Sequence, residues 1–297
     1  MFTEMMDETN LLSSITALMK KACTVLPDDV HRALSLAYAG ERKDSIACET
    51  LGMILQSAAL SAEAGLPVCQ DTGVPLVFVR AGTVPDMSAV ETAVRRSLKM
   101  LTETGLLRHN CVDSVTGKNT GNNIGPHVPQ IHFSPTDAVA TVGVMFKGGG
   151  SENVSAQYSL PCPELDAARD LDGVRKCILD AVFRAQGKGC APGILGVCIG
   201  GDRASGFLIA KEMLFRRLDQ RNDSPVLARL EDTIMEQANS LGIGPMGLGG
   251  KTTLLGAKIT AAGRHPACYY VTVSYSCWAT RRAAVELDSD GRIAGWL

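Results

Sequence analysis

The order of hydrophobic patterns constrains this chain most. Helical spacing fills its first third, and strand-like apolar runs fill its last part. Leu11, Leu12, Ile15, Leu18 and Met19 recur at helical intervals. A second helix is predicted after Pro27-Asp28-Asp29, where acids favour a helix start. A third spans about Asp44 to Glu63 and stops at Gly65-Leu66-Pro67; a fourth follows Asp86, through Val90 to Leu101. Strands are predicted at Val74 to Val79, Ala138 to Phe146 and Gly193 to Ile199. Further strands follow at Leu254 to Ile259, Tyr269 to Tyr275, Arg281 to Leu287 and Arg292 to Trp296. Later helices are expected at about 164 to 186, from Arg203, and from about 226 to 241. The expectation is an α+β fold in one domain, 1–297, with a helical N-terminal lobe (about 1–105) packed on a mixed-sheet lobe (about 106–297).

Bulk properties exclude some classes. With 297 residues the chain sits near the upper limit for one core. A net charge of −2 argues against nucleic acid or an anionic membrane as partner, since both need a basic face. The acidic start, Met1 to Glu8, is unlike a targeting peptide, and no apolar run approaches the ~20 residues of a membrane helix. A cytoplasmic location is expected. In that reducing setting the ten cysteines are read as thiols or metal ligands rather than disulfides. Cys23, Cys48 and Cys177 lie inside helical patterns and are read as small buried apolar residues.

Glycine motifs mislead here. Gly242 to Gly247 matches G-x-G-x-x-G, but a helix-like segment precedes it where a dinucleotide site needs a strand. Gly250-Lys251-Thr252 resembles the end of a phosphate loop, yet Pro245 replaces its first glycine. Lys147-Gly148-Gly149-Gly150-Ser151 follows a strand and is read as backbone N–H groups that cradle an anion, or as a tight turn.

The polar, glycine-rich stretch from 105 to 130 is long for a compact domain and is read as functional. Three cysteines fall in loops beside polar residues: Cys69 in Cys69-Gln70-Asp71-Thr72-Gly73, Cys190 in a glycine-bracketed turn, and Cys277 after a strand. No C-x-x-C pair exists, so any cluster of these must be assembled by the tertiary fold.

Taken together, these segments resemble the class I, iron–sulfur-dependent fumarate hydratases, and more narrowly the α subunit of their two-subunit form. The resemblance rests on Cys69 to Gly73, Leu107-Arg108-His109-Asn110, Lys118-Asn119-Thr120-Gly121 and Lys147 to Asn153. It extends through Cys190-Ala191-Pro192, Leu241 to Lys251, Arg264-His265-Pro266 and Ser276-Cys277. It implies a 4Fe–4S cluster on Cys69, Cys190 and Cys277, with a fourth iron open to act as Lewis acid in the interconversion of (S)-malate and fumarate. It also implies that Gln70, Arg108 and the backbone of Gly148, Gly149 and Gly150 hold substrate carboxylates, and that Asp71 and His265 handle the proton. Single-chain members carry a second domain with further basic residues. Its absence here implies a separate β subunit, as α2β2. The tartrate dehydratase α subunit is the nearest alternative, since it shares the cysteines but is less similar at Lys147 to Asn153. A metal-binding regulatory module and a nucleotide-dependent enzyme are the competing classes.

Overall fold

The computed structural model describes residues 7–81, 87–136 and 138–297. Most of the acidic start, and Asp86 before the fourth helix, lie outside the described residues. Two compact units are built from interleaved segments. The first comprises 1–27, 57–148 and 280–297; the second comprises 28–56 and 149–279.

The first unit holds α1 (Glu8–Thr24), the end of α3 (Ile46–Ala64), β1 (Val74–Ala81), α4 (Met87–Glu103), β2 (Gln130–Pro135), β3 (Thr141–Lys147), β8 (Arg281–Leu287) and β9 (Ile293–Trp296). Its sheet runs β2-β1-β3-β8-β9, with β1 and β2 parallel and the other pairs antiparallel. Helices α1 and α4 cover one face. Leu11, Ile15, Leu18 and Met19 of α1 meet Val90, Val94 and Leu98 of α4 and Val142, Val144 and Val285 of the sheet in a single core. That apolar burial is the main source of stability of the unit.

The second unit holds α2 (Asp28–Gly40), the start of α3, α5 (Gly149–Asn153), β4 (Ala156–Ser159), α6 (Leu171–Ala185), β5 (Gly193–Ile199) and α7 (Arg203–Met213). It continues with α8 (Pro225–Ser240), β6 (Leu254–Ala261) and β7 (Tyr270–Ser276). Its sheet runs β4-β7-β5-β6, with β5 parallel to β6 and antiparallel to β7. Val174, Ile178 and Val182 of α6, Ile234 of α8 and Val197, Ile259 and Val273 of the strands form its core.

The chain is therefore α+β, with N-terminal helices packed on mixed sheets, as expected. The boundary expected near 105 falls inside the first unit, because β1 pairs with β3 and so ties residues on both sides of it into one sheet. The sixth helix begins at Leu171, not near 164. Pro163–Leu165 forms a 3-10 turn, and Asp170 caps the helix by accepting from the Gly173 N–H at 2.7 Å. The triple-glycine segment is neither turn nor nest. None of its glycines has a positive φ, and Gly149 opens α5. Residues 230–240 are helical, as the exclusion of a dinucleotide loop requires. Among the described residues, no helix is long and apolar enough to cross a membrane.

Candidate functional site

The first unit presents Cys69, Gln70 and Asp71 on the loop that leads into β1. Cys69 and Asp71 are half-buried, Gln70 is exposed, and Thr72 is buried. The loop is shaped by Gly73, whose φ is +81°. A Cβ there would stand 2.7 Å from the Phe146 backbone, so only glycine lets the loop approach β3 this closely. The Asp71 carboxylate accepts from the Gly73 N–H at 2.9 Å, which turns the chain and fixes the carboxylate.

Arg108 is tied to this loop by backbone and not by its guanidinium. Its N–H donates to Thr72 Oγ1 at 3.1 Å. Asn110 Nδ2 donates to Thr72 Oγ1 at 3.0 Å and reaches Gly73 O at 3.3 Å and Asp71 Oδ1 at 3.4 Å. Asn123 locks the far side. Its Oδ1 accepts the Asn110 N–H at 2.8 Å, and its Nδ2 donates to Arg108 O at 2.7 Å and Thr102 Oγ1 at 2.9 Å. Asn123 is buried with φ +59°, a conformation asparagine tolerates better than most residues. Arg108, exposed, is thus held by its backbone on a rigid base that also contacts Asp71 through Asn110. Sequence reading singled out Arg108 and Asp71 but not Thr72, Asn110 and Asn123 as the groups that position them. Asparagines in a loop that closes on itself were the available signal. Gly148 is buried at the end of β3 in this same unit.

The second unit carries Gly149 and Gly150, both exposed at the start of α5, and Cys190, Cys277 and His265. Cys190 precedes β5 and Cys277 follows β7. Because Ile194 pairs with Ser276, the two cysteines lie at one end of the sheet. The Trp278 N–H donates to Cys190 O at 3.3 Å, and Cys190 itself has φ +53°. The Tyr275 ring fills the space beneath. A Cβ on Gly193 would stand 2.2 Å from it and one on Gly189 2.5 Å. Burial raises the Tyr275 pKa, and the thiols of Cys277 and Cys190 raise it further, so both stand within electrostatic reach of one phenol.

His265 lies elsewhere in this unit. It sits between the end of β6 and the start of β7, which is the other end of β5 from Cys190 and Cys277. The seven residues of β5 separate them by roughly 20 Å at the usual rise per residue. The parallel β5–β6 register places the 262–269 loop at that end of the sheet. Its Nδ1 accepts the Ala267 N–H at 3.1 Å, so the neutral ring carries its proton on Nε2.

Cys23, Cys48 and Cys177 are buried in α1, α3 and α6, as expected of apolar filler. Burial pushes the Cys23 and Cys177 thiols up to about 12. Among the described residues, no three His, Cys, Asp or Glu side chains are grouped to hold a metal ion. Thiols are the soft donors that an iron–sulfur cluster takes; Cys69 and Cys190 are half-buried in loops, and the buried Cys277 lies next to Trp278, whose N–H donates to Cys190 O.

Comparison with known proteins gives the family. The family model described as fumarate hydratase (fumerase) matches residues 12–286. A protein of Geobacillus stearothermophilus, provisionally named a class I fumarate hydratase, is 44% identical over 97% of this chain, which spans only 57% of that relative. A Methanocaldococcus jannaschii protein, provisionally named the α subunit of L(+)-tartrate dehydratase, is 34% identical, with 94% of this chain and 98% of that one covered. The L(+)-tartrate dehydratase α subunit of Escherichia coli (strain K12) is 29% identical over 95% of this chain and 91% of its own length. A match over most of the sequence, with the Cys69 to Gly73 loop and Cys277 inside it, settles the kinship: the chain belongs to the fumarate hydratase (fumerase) family, with tartrate dehydratase α subunits as close relatives.

Proposed function

We propose that this chain is the α-type part of an iron–sulfur hydro-lyase that interconverts (S)-malate and fumarate. The observation that carries this is the hydrogen-bonded join of two loops: the Cys69 loop, with its fixed Asp71 carboxylate, is bonded to the backbone of the exposed Arg108 and to Asn110. Cys69, Cys190 and Cys277 would hold a 4Fe–4S cluster, whose open iron supplies a Lewis acid for the hydroxyl that is added or removed.

The protein's own groups do the rest. Arg108 binds one substrate carboxylate through paired N–H donors, and Gln70 adds an amide donor from the same loop. Gly148 to Gly150 contribute backbone N–H groups of a strand end and helix start rather than a nest. Asp71, whose carboxylate accepts the Gly73 N–H, and His265 are read as the groups that take and return the hydroxyl proton.

The chain nearly matches an α subunit in length and spans just over half of the Geobacillus relative. On the likeness to proteins named as α subunits, a β-type partner in an α2β2 assembly is part of this reading, with the substrate's second carboxylate held by that partner. The 44% identity to the fumarate hydratase, against 34% and 29% to tartrate dehydratase α chains, favours fumarate over tartrate. A cytoplasmic setting suits free thiols and an oxygen-sensitive cluster.

The test is iron and acid-labile sulfide per chain after anaerobic reconstitution, followed by fumarate hydration with the β-type partner present. About four of each are expected. Cys277→Ser should lose the cluster and Cys177→Ser should keep it; equal iron in the two variants would remove the ligand assignment. Arg108→Ala should keep the cluster and lose turnover. Tartrate dehydration in place of fumarate hydration would move the enzyme to its sister activity.

A further inference from the structure

The glycine-rich segment 242–253, which partly matches nucleotide loops in sequence, turns its N–H groups onto the second unit itself. Glu41, buried directly after α2, takes two of them. Its Oε1 accepts the Lys251 N–H at 2.6 Å and the Thr252 N–H at 3.1 Å. The grip is mutual. Lys251 Nζ donates to Gly40 O at 3.0 Å, which sets a cation at the end of a helix whose last turn holds no basic residue. Gly250 allows the approach: its φ is +127°, and a Cβ there would stand 2.6 Å from the Ala47 Cβ of α3. A phosphate would find these donors already occupied by a protein carboxylate.

The same segment carries the Cys190 turn. The Met246 N–H donates to Ala191 O at 2.8 Å, and the Gly193 N–H donates to Thr253 O at 2.9 Å, so two bonds hold the chain just after Cys190. Just before it, Gly187 lies against the segment. A Cβ on Gly187 would stand 2.5 Å from Met246 O, and one on Gly247 would stand 2.7 Å from Gly187 Cα. Between these contacts Cys190 adopts φ +53°, with its N–H donating to Gly187 O at 3.0 Å. A cysteine in that conformation is held there by its surroundings and not by its own preference. The segment is braced in turn. The Gly249 N–H donates to Ile243 O at 2.9 Å, and Asn239 Oδ1 at the end of α8 accepts the Thr253 and Leu254 N–H groups at 2.8 and 2.9 Å. Glu41 thus reaches the turn in two steps: it fixes Lys251 and Thr252, and the adjoining Thr253 fixes Gly193.

We propose that Glu41 is a positioning residue for the Cys190 thiol. By gripping Lys251 and Thr252 it holds the 242–253 segment against the Cys190 turn, and so fixes the thiol at the sheet end that also carries Cys277. Metal ligands need their places set closely, and groups that orient a ligand without touching the metal change metal affinity by about 10- to 100-fold when removed. The purpose of this grip rests on the reading of Cys190 as an iron ligand; the grip itself rests on the hydrogen bonds alone.

The test has a metal-free arm and a loaded arm, both on the full chain. In the metal-free arm, hydrogen exchange is read at the Met246, Cys190 and Gly193 amides against Ile178 in the core of α6. Glu41→Ala should quicken the three roughly a hundredfold, about tenfold for each lost contact, and leave Ile178 within a fewfold. Glu41→Gln keeps an oxygen acceptor and should restore most of the protection. Glu41→Asp, shorter by one methylene, should fall between and serves if Glu41→Ala does not fold. Asn239→Ala, which frees the same segment from α8, should act in the same direction. Val182→Ala, a core truncation in α6, should quicken Ile178 as much as the three. In the loaded arm, a chelator should strip iron from Glu41→Ala roughly tenfold faster than from wild type, with Glu41→Gln and Val182→Ala near wild type. Unchanged exchange at the three amides, a rise no larger than at Ile178, no rescue by Glu41→Gln, or iron loss as fast in Val182→Ala as in Glu41→Ala would each overturn the proposal. A wild-type chain that takes up no iron would sink the hydro-lyase reading, and faster exchange in Glu41→Ala would still support the hold of Glu41 on the Cys190 turn. Full iron with unaltered exchange in Glu41→Ala would do the reverse.

Discussion

Asn123 should matter more to the site than any residue that touches substrate through it. Replacement by alanine removes three hydrogen bonds, two from Nδ2 and one to Oδ1, all in a buried setting. At about 1 kcal/mol net for each bond, plus about 1 kcal/mol for holding alanine at φ +59°, the loss is about 4 kcal/mol. The two units need not unfold together, so a single melting temperature would blur the effect. Native-state hydrogen exchange at the Asn110 amide reads it directly, because that N–H is the donor to Asn123 Oδ1. Its protection should fall roughly a thousandfold, which is 4 kcal/mol at about 1.4 kcal/mol per decade. Asn123→Gly keeps the backbone relaxed and should recover about fivefold of that loss. A fall of less than tenfold in Asn123→Ala would refute the claim that Asn123 holds the Arg108 loop.

Other outcomes follow from the same geometry. Gly73→Ala places a methyl within 2.7 Å of the Phe146 backbone at φ +81°; it should push the Asp71 loop off β3 and abolish turnover while α1 and α4 stay folded, as circular dichroism with an activity assay would show. Gly193→Ala drives a methyl into the Tyr275 ring at 2.2 Å, so the iron content after reconstitution should drop sharply, and Tyr275→Ala in the same chain should restore part of it. Stability should decline in alkali. The Cys23 thiol is raised from 9.0 to about 12 by burial, so the unfolded chain releases its proton first. Its contribution is complete below pH 9 and declines by about 1.4 kcal/mol per pH unit from there towards 12. Urea unfolding at pH 8 and pH 10 should show this loss, and Cys23→Ala should remove the share due to Cys23 and leave the share due to Cys177 and Cys198. In native protein, an alkylating reagent at pH 8 should modify Cys69 and Cys190 and spare Cys23 and Cys177.

The helices and inner strands were legible because their apolar repeats match what they bury. The run from Gly193 to Ile199 is buried at every position, and its ends match β5. Strand β2 was not legible, because Gln130, His132, Ser134 and Pro135 form a polar edge. Strand β4 is four residues long and also lies at an edge. Cys69, Asp71 and Arg108 could be marked from local chemistry, since a loop cysteine beside acid and amide has no core role. The distance between His265 and Cys277 could not be marked. They are near in sequence, but the full length of β7 lies between them, and which strand end faces which follows from pairing with β5. Asn123 was hidden for the same reason, as its partners lie 13 to 21 residues away.

The interleaving of the two units has a consequence for how the chain is made. Strand β3 leaves the ribosome with one edge satisfied by β1, but its other neighbour, β8, begins only at Arg281. All of 149–279 is synthesised in the interval, enough to complete the other sheet first. Until then the edge of β3 from Thr141 to Phe146 is an open template of Val142, Val144, Met145 and Phe146, the kind of surface that pairs with other chains. A nascent chain of this protein should depend most on chaperones late in translation, and release when Arg281 to Leu287 closes the gap.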